Sequence, residues 1–321
     1  MKKTFIFVLI IVAFSASFIF FITKKVEEEK PKVVVVLKEL DNQYWQIVKA
    51  GAEKGFQDFD INGEVIESSD NLGHDNQVDI LKKVLIEKPD VLVVSPGESA
   101  QHMSILEKFI DRKIPVLLVD TDVPLTNKSS YIGTDNYELG RMAGALLASE
   151  LQPGNEVALI AGNLSSPVSG DRFKGAKVSL EDAGIKIVTE KVDLSNEPNE
   201  VIKVMRDVLE KHSDLKGVFA TTDIMALSAL EVLDEEDYKI PVVGADGIIE
   251  MVKLVEEGKL LSGTVAQNPY DMGYLSAQAA MNVAKGKTID SVIDSGVDIL
   301  IKGNGNERLT FLEKVLKESL K

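Results

Sequence analysis

The chain has 321 residues, enough for two lobes of ordinary size, and 45% of them are hydrophobic, enough for a substantial core. A formal net charge of −15 argues against nucleic acid or anionic lipid as a main partner, since both need clustered Lys and Arg. There is no cysteine, which excludes a disulfide framework, a thiolate metal site, a cysteine nucleophile and a cysteine-borne lipid.

Residues 4–23 form an uncharged run, with Lys2 and Lys3 before it and Lys24 and Lys25 after it. About 20 apolar residues match the thickness of a bilayer core. Cleavage near the small residues 13–17 would leave Phe18-Ile19-Phe20-Phe21-Ile22 at the start of the mature protein, a poor soluble beginning. Segment 1–25 therefore reads as an uncleaved single-pass anchor in the cell membrane rather than a cleaved signal, which would leave a secreted or periplasmic body. Residues 26–32 form a short charged linker, and the charge balance leans towards an extracytoplasmic body.

Residues 33–37 are an apolar strand, and Asp41-Asn42-Gln43 precedes a helix carrying Tyr44, Trp45, Val48, Ala52 and Phe56 at helical spacing. A strand at 64–68, a helix at 76–87, a strand at 91–94, a helix at 100–112 and a strand at 116–119 follow. The last of these runs off into Val119-Asp120-Thr121-Asp122. After a short strand at 131–133, a long helix carries Leu139, Met142, Ala143, Leu146 and Leu147. The alternation then restarts with strands at 156–161, 185–192, 217–220, 242–243 and 261–266. Helices are expected at 171–182, 200–211, 223–233, 248–257 and 270–285. Short apolar strands alternating with helices predict parallel sheets covered on both faces. A strand at 298–301 precedes residues 306–321, where Leu309, Leu312, Leu316 and Leu320 fall on one face of an amphipathic helix. That helix is expected to pack on its own lobe, with partner binding as the alternative.

The runs ending at Asp120 and Val243-Gly244-Ala245-Asp246-Gly247 echo one another about a hundred residues apart. Carboxylates just past strand ends sit where open α/β sheets bind ligands. Two lobes each offering an acid to a shared cleft predict a binder of a small polyhydroxylated molecule. Histidines 74, 102 and 212 are not in metal-ligand spacing, and the phosphate-loop, dinucleotide and nucleophile-elbow motifs are absent. Neither an enzyme nor a metal or cofactor site is expected. His102 reads as a surface residue.

Six motifs resemble the type I sugar-binding proteins of bacterial ABC transporters, of the ribose-binding type. They are Asp41-Asn42-Gln43-Tyr44-Trp45 with Gly51-Ala52, Ile132-Gly133-Thr134-Asp135-Asn136 with Gly140, Arg172 with Gly175, Phe219 to Leu227, Val243 to Gly247, and Thr264-Val265-Ala266-Gln267. The resemblance implies an α/β protein of two Rossmann-like lobes with parallel sheets, joined by a hinge of three crossings near Thr134-Asp135, Gln267 and Asp298. It implies an N-lobe of 33–134 plus 268–298 and a C-lobe of 135–267 plus 299–305, followed by the terminal helix at 306–321. By the same resemblance, Asn42, Tyr44, Trp45, Asp120, Arg172, Asp246 and Gln267 fall on ligand positions. Lys38, Thr121, Leu194 and Thr222 stand where the ribose pattern has serine, arginine, phenylalanine and asparagine.

Those replacements move the expected ligand from ribose to another monosaccharide, D-xylose first. The pattern resembles the xylose-binding branch, which includes membrane-anchored sensors that work with a histidine kinase. The function implied is an extracytoplasmic sugar-binding protein that closes on its ligand and signals to a membrane sensor kinase. The alternative is the binding component of a sugar ABC transporter, with a permease as partner. The plainer readings are that Tyr44 and Trp45 are simply core residues of the first helix, Asp246 only caps the next helix, Arg172 pairs with a surface acid, Asn42 only caps the first helix, and Lys38 makes a cleft-rim salt bridge.

Overall fold

The computed structural model describes residues 29–38, 43–68, 76–97, 99–258 and 263–319. The expected anchor at 1–25 and Asn42 lie outside the described residues, as do residues 26–28 of the linker. Among the described residues, no helix is long and apolar enough to cross a membrane.

The first sheet runs in the order β11-β5-β4-β3-β1-β2, with β1 Lys32–Leu37, β2 Asn62–Glu67, β3 Val91–Val94, β4 Val116–Val119, β5 Ser130–Gly133 and β11 Val292–Asp294. The second runs β12-β10-β9-β8-β6-β7, with β6 Glu156–Ile160, β7 Lys186–Lys191, β8 Gly217–Ala220, β9 Val242–Asp246, β10 Gly263–Gln267 and β12 Val297–Ile301. The two strand orders match position for position, differing only in the direction of the edge strand, so β4 and β9 occupy equivalent places. All pairings are parallel except β12 against β10, which is antiparallel.

The strand sequences explain this layering. In β1, Val33, Val35 and Leu37 enter a core with helices α1 (Gln43–Phe59) and α9 (Pro269–Ala284), while Val34 and Val36 enter the core on the opposite face. That second core is built with α2 (Gln77–Glu87) and α3 (Ala100–Asp111). A run with no polar position suits a strand buried on both faces, each such side chain contributing on the order of 1.5 kcal/mol. β6 divides in the same way, Ala158 and Ile160 to one core and Val157 and Leu159 to the other. Helices α4 (Asn136–Ser149), α5 (Pro167–Asp182), α6 (Pro198–Lys211), α7 (Asp223–Glu235) and α8 (Ile249–Glu257) cover the second sheet.

Among the described residues, the chain passes between the sheets after Gly133, after Gln267, and between Asp294 and Val297, three crossings in all. Helix α5 begins at Pro167, earlier than the expected 171, because proline suits the first turn, where its missing N–H has no partner to lose. Strand β11 was not anticipated; Val-Ile-Asp is too short to show a period.

The terminal helix α10 (Gly305–Ser319) does not pack on one lobe alone. Its Leu312 and Val315 form one cluster with Ile47 of α1 and Ile249 of α8, elements on different sheets. Glu256 of α8 accepts from the backbone N–H groups of Gly303 and Gly305 and from Asn306 Nδ2 at 2.8 Å, satisfying donors that a helix start leaves open.

Close helix contact holds α1 to α9. A Cβ on Gly51 would lie 2.0 Å from the Tyr270 carbonyl oxygen, and one on Gly273 would lie 2.0 Å from that of Val48. Gly51→Val is therefore expected to cost about 3 kcal/mol, the upper range for overpacking, as measured by urea unfolding. A loss below about 0.5 kcal/mol would contradict this contact.

Candidate functional site

Both acids singled out by the sequence stand at strand ends with unusual backbone. Asp120 follows β4 with φ 65°, and Asp246 ends β9 with φ 129°. Side chains other than glycine rarely occupy this half of conformational space, and such strain persists where surrounding structure over-determines it. At Asp120 the surroundings are visible: its N–H donates to the Ile132 carbonyl at 2.9 Å, and its own carbonyl accepts from the Tyr131 hydroxyl at 3.0 Å.

In the first lobe the Asp120 carboxylate takes the Tyr44 hydroxyl on Oδ1 at 2.6 Å and the Thr121 hydroxyl on Oδ2 at 2.9 Å. Lys38 Nζ donates to Thr121 Oγ1 at 2.9 Å and lies 5.7 Å from the centroid of the Trp45 ring. Tyr44 and Trp45 meet edge to face, with centroids 5.1 Å apart. Trp45 is buried in the α1 core, while Tyr44 lies partly buried against it and aims its hydroxyl at Asp120. Burial raises the Tyr44 phenol well above its usual value, and the Asp120 charge adds to this.

In the second lobe Arg172 is 1% exposed, not a surface residue. Its Nε donates to Asn136 Oδ1 at 2.9 Å, and its Nη1 to the Thr221 carbonyl at 2.8 Å and to Asp246 Oδ1 at 2.9 Å. Gln267 Nε2 donates to the same Asp246 oxygen at 2.8 Å. Arg172 Nη2 is buried and has no hydrogen-bond partner among the described residues. Asp246 does not cap α8. Among the described residues no side chain caps α8; the fully buried Asp223 instead holds the turn before it, its Oδ2 accepting from Gly247 N and Ile248 N at 2.6 and 3.0 Å.

Two expected residues stand apart from these networks. Thr222 caps α7, accepting from Met225 N and donating to Asn196 Oδ1 at 2.8 Å. Leu194 sits on the loop after β7, half-buried against the α6–α7 core. Asn136, which closes the hinge motif Ile132 to Asn136, holds Arg172 through its Oδ1. His102 is not at the surface: it is 3% exposed, with Nδ1 2.7 Å from Ser99 Oγ.

The chain matches the model of the periplasmic binding protein domain over residues 33–288. It belongs to the periplasmic binding protein family. The ribose import binding protein of Bacillus subtilis is 27% identical over 256 residues, 80% of this chain and 82% of that protein. The D-ribose/D-allose-binding protein of Pseudomonas aeruginosa is 27% identical over 289 residues, 85% of this chain and 89% of that one. The crystal structure of a periplasmic ribose ABC transporter from Conexibacter woesei shares the fold, with a TM-score of 0.81 at 23% identity over 88% of this chain and 95% of that one. The fold is thus the two-lobed type I architecture, and the chain is a binding protein rather than an enzyme.

Two predictions concern stability of this binding protein. Asp246→Ala strands a buried guanidinium beside two neutral acceptors, so it is expected to cost about 3 kcal/mol rather than leave the fold untouched. Urea unfolding reads this, and a cost under about 1 kcal/mol would show that Arg172 finds another anion or water. The second concerns Asp223. Burial pushes its carboxyl up from 3.8 to about 7, helped by the charge of Asp246 and opposed by Thr264 and the two backbone donors. Between those values the folded state binds more protons than the unfolded state, so this group's contribution to stability falls as pH rises from about 4 to about 7 and is level above that. Asp223→Asn, which keeps the acceptor for both N–H groups, is expected to flatten this slope in unfolding free energy measured from pH 4 to 8; an unaltered slope would contradict the assignment.

Proposed function

We propose that the protein binds one neutral monosaccharide between its two lobes and closes on it. The observation that carries this reading is the Arg172–Asp246–Gln267 cluster, with the buried Nη2 of Arg172 still lacking an acceptor. A sugar hydroxyl supplies such an acceptor and can donate to a carboxylate in return. The charges favour a neutral ligand, because Lys38 stands with Thr121 and Asp120 in one lobe and Arg172 pairs with Asp246 in the other. Trp45 and Tyr44 supply the aromatic surface that suits the C–H side of a sugar ring.

In this reading Lys38, Asn42, Tyr44, Trp45, Asp120, Thr121, Arg172, Leu194, Thr222, Asp246 and Gln267 line the ligand. D-xylose is the first candidate on the replaced positions, and the names of the relatives bring in D-ribose and D-allose. Contacts from both lobes favour the closed arrangement only through a difference in affinity for the two states.

The body works outside the cytoplasm, as the family name implies. Its partner is a membrane histidine kinase in the reading that takes 1–25 as an uncleaved anchor on a chain without a lipid-bearing cysteine. Delivery to an ABC permease is the second reading, supported by relatives named for import. Loss of sugar uptake on gene deletion would favour the permease, whereas intact uptake with loss of a sugar-induced transcriptional response would favour the kinase.

Thermal unfolding with a panel of pentoses and hexoses tests the binding itself, with Trp45, the single tryptophan, as a fluorescence reporter. One sugar at about 100 times its dissociation constant is expected to stabilise the protein by about 2.7 kcal/mol. No shift and no fluorescence change with any of them would refute a monosaccharide ligand.

A further inference from the structure

Arg308 lies on α10, beyond the stretch matched by the family model. Its guanidinium reaches into the hinge: Nη2 donates to the Gln267 carbonyl, and Nη1 lies 3.0 Å from Asn268 Oδ1 and 3.4 Å from Asp298 Oδ2. Gln267 and Asn268 belong to the second crossing, and Asp298 closely follows the third. One side chain therefore ties two of the three crossings. It is only 12% exposed, and a Cβ on Gly247 would lie 3.4 Å from its Nε. Asp246 immediately precedes that glycine, and the Gln267 side chain donates to Asp246. Arg308 thus stands directly behind two residues assigned above to the ligand.

The helix that carries it is joined to both lobes. Glu256 holds its start and Lys253 pairs with Glu313 at 3.0 Å, both from α8. On the other side Ile47 packs against Leu312 and Val315, and Tyr270 meets Phe311 edge to face at 5.2 Å. A change in the angle between the lobes must shift this helix against one of them.

We infer that Arg308 is a positioning residue for the cleft, fixing the Gln267 backbone and the Asn268 side chain and coupling them, through α10, to the angle between the lobes. Its effect on affinity rests on the sugar-binding reading above; its effect on the interlobe angle does not. A guanidinium fork can serve the two crossings at once, whereas the point charge of lysine cannot do so with the same geometry.

The test uses the full cysteine-free chain with spin labels on cysteines introduced at the exposed Lys83 and Lys203, one on each lobe. Pulsed electron resonance then reads the interlobe distance with and without whichever of D-xylose, D-ribose or D-allose stabilises the unaltered protein. Arg308→Ala is expected to broaden the sugar-free distance distribution and weaken sugar binding about tenfold, since a smaller share of molecules then holds the competent arrangement. Arg308→Lys should fall between, and the exposed Lys317→Ala on the same helix should change neither. A folded Arg308→Ala with an unchanged distribution would overturn the inference; if that variant does not fold, an unchanged Arg308→Lys does so in its place. If the unaltered protein binds none of these sugars, the ligand reading falls, and the sugar-free distributions still decide the role of Arg308.

Discussion

The site depends on a guanidinium that has almost no contact with water. Burying a charge costs several kcal/mol unless partners replace its hydration, and Arg172 finds them on three different elements. Asn136 comes from the first crossing, Thr221 from the end of β8, and Asp246 from the end of β9. Each of these must be in register for the charge to be tolerated. The second sheet and the hinge are therefore constrained by one side chain, and its Nη2 has no hydrogen-bond partner among the described residues.

The first lobe reaches a similar end by other means. Topologically equivalent strands carry Asp120 and Asp246, and both acids have positive φ, which turns each away from the path of an ordinary strand. Asp120 is met by hydroxyls from Tyr44 and Thr121 rather than by a guanidinium, with Lys38 one step behind. Each lobe thus places one cation near its acid, Arg172 paired directly with Asp246 and Lys38 linked to Asp120 through the Thr121 hydroxyl. In the proposed function this arrangement suits an uncharged, hydroxyl-rich ligand, with closure driven by hydrogen bonds and ring stacking rather than by net attraction.

Much of this was legible before any coordinates. Unbroken apolar runs such as Val33-Val34-Val35-Val36 announce strands buried on both faces, and a carboxylate at the end of such a run marks the ligand edge of an open sheet. What stayed hidden depends on distant pairing. Nothing local in Asp223 shows that it receives the N–H groups of Gly247 and Ile248, in the turn just before α8. His102 looked exposed because one polar residue among many on α3 carries no sign of the Ser99 hydroxyl that accompanies it inside. The terminal helix was visible from its leucines, but a helical stripe does not say which surfaces it covers, and Arg308 gave no signal of its place at the hinge.

Calorimetric titration of the full chain with the best-stabilising monosaccharide and with its aldonic acid, at low ionic strength, tests the central claim most directly. A cleft in which Arg172 pairs with Asp246 and Lys38 reaches Asp120 through Thr121 predicts one-to-one binding of the neutral sugar and weaker binding of the anion, whose carboxylate would meet Asp120 and Asp246. Tighter binding of the aldonate would contradict this account and would mean that Arg172 or Lys38 is kept for an anionic ligand.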